Sequence, residues 1–328
     1  MFAIRYRKIF LTIAGILMVG SLILISILGL RLGIDFAGGS LTEVSYSEVP
    51  EKSAVEAEVE TMTLGNFSVR ESVDDTGRDG YLIRTRDLTE PERESLVGLV
   101  TSIGEGGDVT RFTSIGPVIG QELRDKAVWA IAAVAIIIIL YIAFAFAGIG
   151  KPVSSWVYGG ITIFVLIHDI LVPTALMSVL GYVAGVEVDV LFVMALLAIL
   201  GYSVNDTIVI FDRVRENLLA HRTEKRTKRN EAGIIKEDIE YTLTEPYEEL
   251  VGSAVNQTIA RSINTSLTTL LTLSALYFIG GSVTQTFALI LIAGVIAGTY
   301  SSICIANPLL VSYAKWRDSK EEENGKSK

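Results

Sequence analysis

The chain has 328 residues, half of them hydrophobic, and a mean hydropathy of +0.47, which excludes an ordinary soluble domain and points to a membrane protein. Its single cysteine, Cys304, excludes a disulfide framework or a thiolate metal site built within one chain. The net charge of −9 says little by itself, because the segments between apolar runs carry charge of different sign.

Apolar runs at 9–30, 127–149, 157–180, 187–211, 264–281 and 284–314 each match a hydrocarbon layer of about 30 Å at about 1.5 Å per residue. They predict a polytopic α-helical membrane protein with six transmembrane helices. Arg5, Arg7 and Lys8 precede the first run. Arg213, Arg215, Arg222, Lys225, Arg226, Lys228 and Arg229 follow the fourth, and Lys315, Arg317 and Lys320 the sixth. Six spans put these clusters on one side, cytoplasmic by the positive-inside rule, with both termini inside. The first run is longer than a signal-peptide core, and Leu28-Gly29-Leu30-Arg31 is no small-residue cleavage site, so an uncleaved anchor is expected.

The organisation expected is an N-terminus with the first span at 1–30, an extracytoplasmic domain at 31–126, and a bundle of spans two to six at 127–314. That bundle carries a cytoplasmic loop at about 212–260, and 315–328 forms a cytoplasmic tail. Within the outer segment the pattern predicts strands at 39–48, 66–73, 79–86 and 107–115, and helices at 50–63 and 89–104. Thr89, with Pro91 in the first turn and Glu92 three residues on, starts the second helix, and 74–79 supplies a turn. The order β-α-β-β-α-β is the split, ferredoxin-like α+β arrangement. Its acidic surface reads as solubilising.

Ionisable residues within spans cost about 2.5–3.5 kcal/mol each and mark pathways or buried partners. Asp206, in Gly201-Tyr202-Ser203-Val204-Asn205-Asp206-Thr207, precedes four further apolar residues and shares a face with Ser203, with Asn205 offset. It reads either as a titrating carboxylate or as an aspartate bonding a neighbouring helix. Gln257, Arg261, Asn264 or Thr265, Thr268 and Thr272 form one polar stripe, expected to face the bundle interior or a hydrated cavity. Arg261 is then the expected electrostatic partner of Asp206, the alternative being an interfacial anchor. His168-Asp169, followed by Pro173, fits a relay and a packing hydrogen bond equally well. Gly294 and Gly298 suit close helix contact.

No nucleotide-binding loop, zinc-protease motif, nucleophile elbow or dinucleotide fingerprint occurs, so a transport component without nucleotide hydrolysis is expected rather than an enzyme. No cofactor, metal or nucleic acid is implied.

Gly33-Ile34-Asp35-Phe36-Ala37-Gly38-Gly39-Ser40-Leu41 looks like the segment that follows the first span in SecD and SecF proteins. Three further stretches, 116–124 (Gly116-Pro117 to Arg124), 201–217 (Gly201 to Asn217) and 256–269 (Asn256 to Thr269), resemble the SecF branch of that protein-export family. The small outer segment also fits that branch. The resemblance implies a six-span half of an RND-superfamily bundle in a prokaryotic cytoplasmic membrane. It implies pairing with SecD, association with the SecYEG channel, often with YajC, and contact with unfolded preprotein and membrane lipid.

It further implies use of the proton motive force, H+ being the coupling ion, with Asp206 and Arg261 matching the family's charged coupling positions. Asn205, Ser203, His168, Asp169, Asn264, Thr265 and Thr268 are supporting candidates. The rival readings are an RND-type exporter of small molecules or lipids and a purely structural translocon subunit. The charged segment at 221–243 departs from the pattern by lengthening a loop that is usually short.

Overall fold

The computed structural model describes residues 2–74, 76–146, 153–231 and 234–326. Among the described residues six helices are long and apolar enough to cross a membrane. They are α1 (Arg7–Leu28), α4 (Pro117–Ala145), α5 (Ser155–Ala184), α6 (Val190–Ala220), α7 (Tyr247–Ile279) and a last span over Ser282–Lys320. The last is built from α8 (Ser282–Ser301), a π-helical segment (Ser302–Ala306) and α9 (Asn307–Lys326).

Several helices overrun the apolar runs that predict them. α7 begins at Tyr247 rather than 264, and α6 runs on to Ala220, so much of the loop expected at about 212–260 is helix. Hydropathy marks only the part of a helix that lipid surrounds, and charged residues do not stop the backbone. At about 1.5 Å per residue a helix of 31 residues exceeds the hydrocarbon layer by roughly half its thickness. The insertion at 221–243 is an antiparallel hairpin of β5 (Arg222–Glu231) and β6 (Ile234–Leu243), with residues 232 and 233 outside the described residues, as is the expected end of the second span at 147–149.

Between α1 and α4 stands the α+β domain: β1 (Gly39–Ser45), α2 (Lys52–Thr61), β2 (Ser68–Val73), β3 (Asp79–Thr85), α3 (Glu90–Ile103) and β4 (Asp108–Ile115). All neighbours pair antiparallel in the order β2-β3-β1-β4, the split arrangement the pattern predicts. One face of the sheet packs Val44, Val69, Tyr81 and Ile83 against Val55, Val59, Leu96 and Val100 of α2 and α3, and Tyr46 Oη donates to Val100 O at 2.8 Å.

The Asp74 turn before β3 is tied by its own carboxylate, which accepts from Thr76 N (2.8 Å), Thr76 Oγ1 (2.7 Å), Arg78 N (2.9 Å) and Arg78 Nε (3.0 Å). Burial raises the Asp74 pKa, but these bonds, led by the Thr76 hydroxyl, outweigh it and hold the carboxyl well below the usual range. A depressed folded-state pKa gives stability that is complete above about pH 3.9 and lost as pH falls through the folded value. The thermal midpoint of the domain should therefore drop on acidification below about pH 4, and Asp74→Asn should flatten that dependence. Parallel melting curves for both proteins across pH check this.

The other sheet face meets the end of the bundle. Arg84 Nη1 donates to Leu32 O at 2.8 Å and to Glu187 Oε1 at 2.5 Å, Ser282 Oγ accepts from Val73 N at 2.7 Å, and Asp35 Oδ2 accepts from Val190 N at 2.8 Å. Glu43, buried on this face, is held by Arg111 at 3.2 Å and Ser72 at 3.0 Å. The acidic residues that predict only a soluble surface thus include part of a docking seam. Arg84→Met should loosen it by about 1–3 kcal/mol, raising amide exchange in 29–38 and 185–189. Unchanged protection would show that the seam is held elsewhere.

Gly38 and Gly39 sit where the chain turns from α1 into the sheet. Their φ values are +77° and +126°, a region side chains disfavour. A Cβ on Gly38 would lie 2.8 Å from Pro117 Cα, and one on Gly39 2.5 Å from Thr85 O. A Cβ on Gly120 would lie 3.0 Å from Gly38 N, so two of the sequence motifs form one junction.

Candidate functional site

The buried seam between α6 and α8 follows from small residues. A Cβ on Gly294 would lie 2.2 Å from Ile199 Cδ1, and one on Gly298 3.1 Å from Ser203 Cβ. The spacing that predicts close contact therefore seats α8 directly on α6 and brings the polar residues of both to α5.

At this seam Asp169 of α5 is fully buried and His168 nearly so. Ser203 Oγ and Ser301 Oγ, the latter at 2.7 Å, donate to Asp169 Oδ2, and His168 Nδ1 lies 2.8 Å from Asp169 Oδ1. Pro173 stands inside α5 and supplies no N–H to the carbonyl of Asp169 four residues before it. Asp206 of α6 is buried as well, and Ser302 Oγ donates to its Oδ2. Among the described residues this hydroxyl is the one hydrogen-bond partner of the Asp206 carboxylate.

Ser302 opens the π-helical segment. Pro308 lacks the N–H that would bond Cys304 O in a regular helix, and buried Asn307 donates from Nδ2 to Ser302 O at 2.7 Å. Isolated π turns of this kind recur at functional sites. A second hydroxyl chain crosses three helices beside it: Tyr202 Oη donates to Ser266 Oγ at 2.9 Å, and Ser266 Oγ lies 2.6 Å from Thr299 Oγ1.

The residues singled out from the sequence divide into two groups. Asp206, Ser203, His168 and Asp169 are buried within the bundle, whereas Asn205, Arg261, Asn264, Thr265 and Thr268 are exposed, together with Gln257 and Thr272. The polar stripe on α7 thus faces away from this chain's own bundle rather than into it. The reason lies in the opposite face of α7, where Val251, Ala254, Val255, Thr258, Ser262 and Ser266 are buried at the three- and four-residue spacing of a packed helix face.

Asn217 Nδ2 donates to Leu250 O at 3.3 Å, and Tyr202 Oη bonds Ser266, two contacts that set an antiparallel register between α6 and α7. Along it Asp206 stands level with Arg261 and Ser262. Arg261 therefore occupies the depth expected for a partner of Asp206 but points outward, and the two form no ion pair. The residues missed by sequence reasoning are Ser301, Ser302, Thr299, Ser266 and Asn307. The run Thr299-Tyr300-Ser301-Ser302 ahead of Asn307-Pro308 carried the signal, since hydroxyl clusters and a proline within an apolar span both mark interior positions.

Residues 98–316 match the family described as protein export membrane protein SecD/SecF, C-terminal, and residues 23–48 match the SecD/SecF GG motif. The chain is 35% identical over 318 residues to protein translocase subunit SecF of Thermobaculum terrenum, covering 94% of this chain and 93% of that one. It is 36% identical over 316 residues to the SecF subunit of Anaerolinea thermophila, covering 95% and 94%. The crystal structure of SecDF from Thermus thermophilus, a translocon-associated membrane protein, superposes with a TM-score of 0.78 at 29% identity, covering 95% of this chain and 38% of that one.

Proposed function

Because this chain belongs to the SecD/SecF family of protein-export membrane proteins, we propose that it is an accessory subunit of the Sec translocase that pairs with SecD and uses the proton motive force to assist preprotein export. The α+β domain is then the outer, substrate-facing module, the hairpin of β5 and β6 lies on the cytoplasmic side with both termini, and the SecYEG channel, with YajC, is the assembly served. No step in this reading hydrolyses a nucleotide.

The observation that carries it is Asp206, an aspartate buried in the spans whose described partner is a single hydroxyl rather than a cation. An ionisable residue placed within spans marks a pathway or a buried partner. Asp206 is the proton acceptor in this reading.

Pairing with SecD is supported by the outward stripe on α7. The hydroxyls of Thr265 and Thr268 bond carbonyls of their own helix, but the Arg261 guanidinium and the Asn264 amide, if exposed to lipid, would lack partners, which favours a second bundle on this face. The fused relative in Thermus thermophilus, named SecDF, is 32% identical over 308 residues, which are 36% of its length. Arg261 offers that second bundle a fixed positive charge level with Asp206, suited to a carboxylate on the partner. Purification of the intact chain from membranes in mild detergent tests the pairing. A SecD chain should co-purify and should be lost or weakened in Arg261→Leu, and recovery of the chain alone would overturn it.

A further inference from the structure

Two buried carboxylates on different helices are served by adjacent residues of a third. Ser301 Oγ donates to Asp169 Oδ2 at 2.7 Å, and Ser302 Oγ donates to Asp206 Oδ2. Successive side chains on a helix point about 100° apart, so Ser301 and Ser302 reach α5 and α6 from one turn. The π-helical segment opening at Ser302 and the Asn307 side chain bonded to its carbonyl fix that turn.

Each of these hydroxyls has a second partner. Ser301 Oγ lies 3.1 Å from Gly298 O, and Ser302 Oγ 3.0 Å from Thr299 O. A hydroxyl carries one hydrogen and two lone pairs. It can donate to an ionised carboxylate, or turn its hydrogen to the backbone carbonyl and accept from the carboxylic acid. Both charge states of Asp169 and of Asp206 are therefore satisfied by rotation of a hydrogen, with no movement of heavier atoms.

Asp169 has a further feature that Asp206 lacks. His168 Nδ1 lies 2.8 Å from its Oδ1, while the buried His168 Nε2 has no hydrogen-bond partner among the described residues. The imidazole and the carboxyl can share one proton in a pair of zero net charge. Of the other titratable groups, Tyr300 lies against the pair, its ring centre 6.1 Å from that of His168, while Asp206 stands one turn along α6 from Ser203, which bonds Asp169, and Cys304 one turn along the last span from Tyr300. Tyr202 of α6 turns to Ser266 of α7. α1 carries charge only at Arg7 and Lys8, α4 only at Glu122, Arg124, Asp125 and Lys126, and α9 only from Lys315 onward, all toward helix ends. Arg261 of α7 points outward.

We propose that Asp169, paired with His168, is a second proton-binding carboxyl of the bundle, and that Ser301 and Ser302 are the positioning hydroxyls linking it to Asp206. This deepens the reading of Asp206 as proton acceptor and rests on it for its role in transport.

The test is an infrared titration of the full chain reconstituted in lipid, following the carbonyl stretch of protonated carboxyl groups with pH. Asp169→Asn should remove one buried-carboxyl band and Asp206→Asn a different one. Ser301→Ala, which keeps both carboxyls, removes a donor to ionised Asp169 and should raise the midpoint of its band by about one pH unit, a tenfold gain in proton affinity. A difference spectrum unchanged by Asp169→Asn, or a midpoint unmoved in Ser301→Ala, would overturn the proposal. Failure of the parent reading looks different: the Asp206 band would be missing while the Asp169 band titrates.

Discussion

Asp206→Asn should abolish the response of preprotein export to the proton gradient while leaving the chain folded and assembled. Asn has nearly the volume of Asp, and its side-chain carbonyl can still accept the hydrogen of Ser302 Oγ. What it cannot do is change charge. Moving one charge through 100 mV yields about 2.3 kcal/mol, enough to bias a conformational equilibrium by more than about tenfold. That factor is the size of the stimulation expected to vanish. Export into inverted vesicles, with and without an imposed gradient, measures it. A variant that keeps the full response would remove Asp206 from the coupling, and intact export after depletion of the chain, with altered drug resistance, would favour a small-molecule exporter.

The second large effect is structural. Gly294→Val should separate α8 from α6, because a Cβ at this position would already lie 2.2 Å from Ile199 Cδ1 and 2.3 Å from Ile199 Cγ1. Ile199 is itself buried among Phe192, Ala195, Leu196 and Ile290, so it has nowhere to retreat. Overpacking of this kind costs about 1–3 kcal/mol, and more where a helix has to shift. The same shift would draw Ser301 from Asp169 and Ser302 from Asp206, so stimulated export should fall together with the thermal midpoint in detergent. Gly201→Ala is the control, since nothing lies within 4 Å of a Cβ there. Equal melting of the two variants would show that the α6 and α8 seam tolerates expansion.

Much of this architecture was legible from the residues alone. The domain followed from alternation and turn chemistry: the sequence expects a helix start at Thr89, and Glu92 Oε2 does accept from Thr89 N at 2.9 Å. The spans followed from hydropathy, although their ends did not, because helices continue beyond the bilayer on charged residues. At the site, burial of a carboxylate in the fourth span was legible from the apolar run after Asp206. The direction of the α7 stripe was not. Periodicity identifies that Arg261, Thr265 and Thr268 share a face, but which of the two faces packs inward depends on the fit of Ala254, Thr258 and Ser262 to α6. The roles of Ser301 and Ser302 were hidden for a similar reason, since only the packing of the last span against α5 and α6 brings adjacent serines to different aspartates.

The most direct measurement of the coupling follows protons rather than export. The purified translocase assembly containing this chain would be reconstituted in liposomes holding a pH-sensitive dye, and proton movement recorded while a preprotein is translocated. The account requires proton flux that accompanies translocation and disappears in Asp206→Asn. Flux of equal size in the variant, or translocation by the wild-type assembly under a gradient with no accompanying flux, would contradict it.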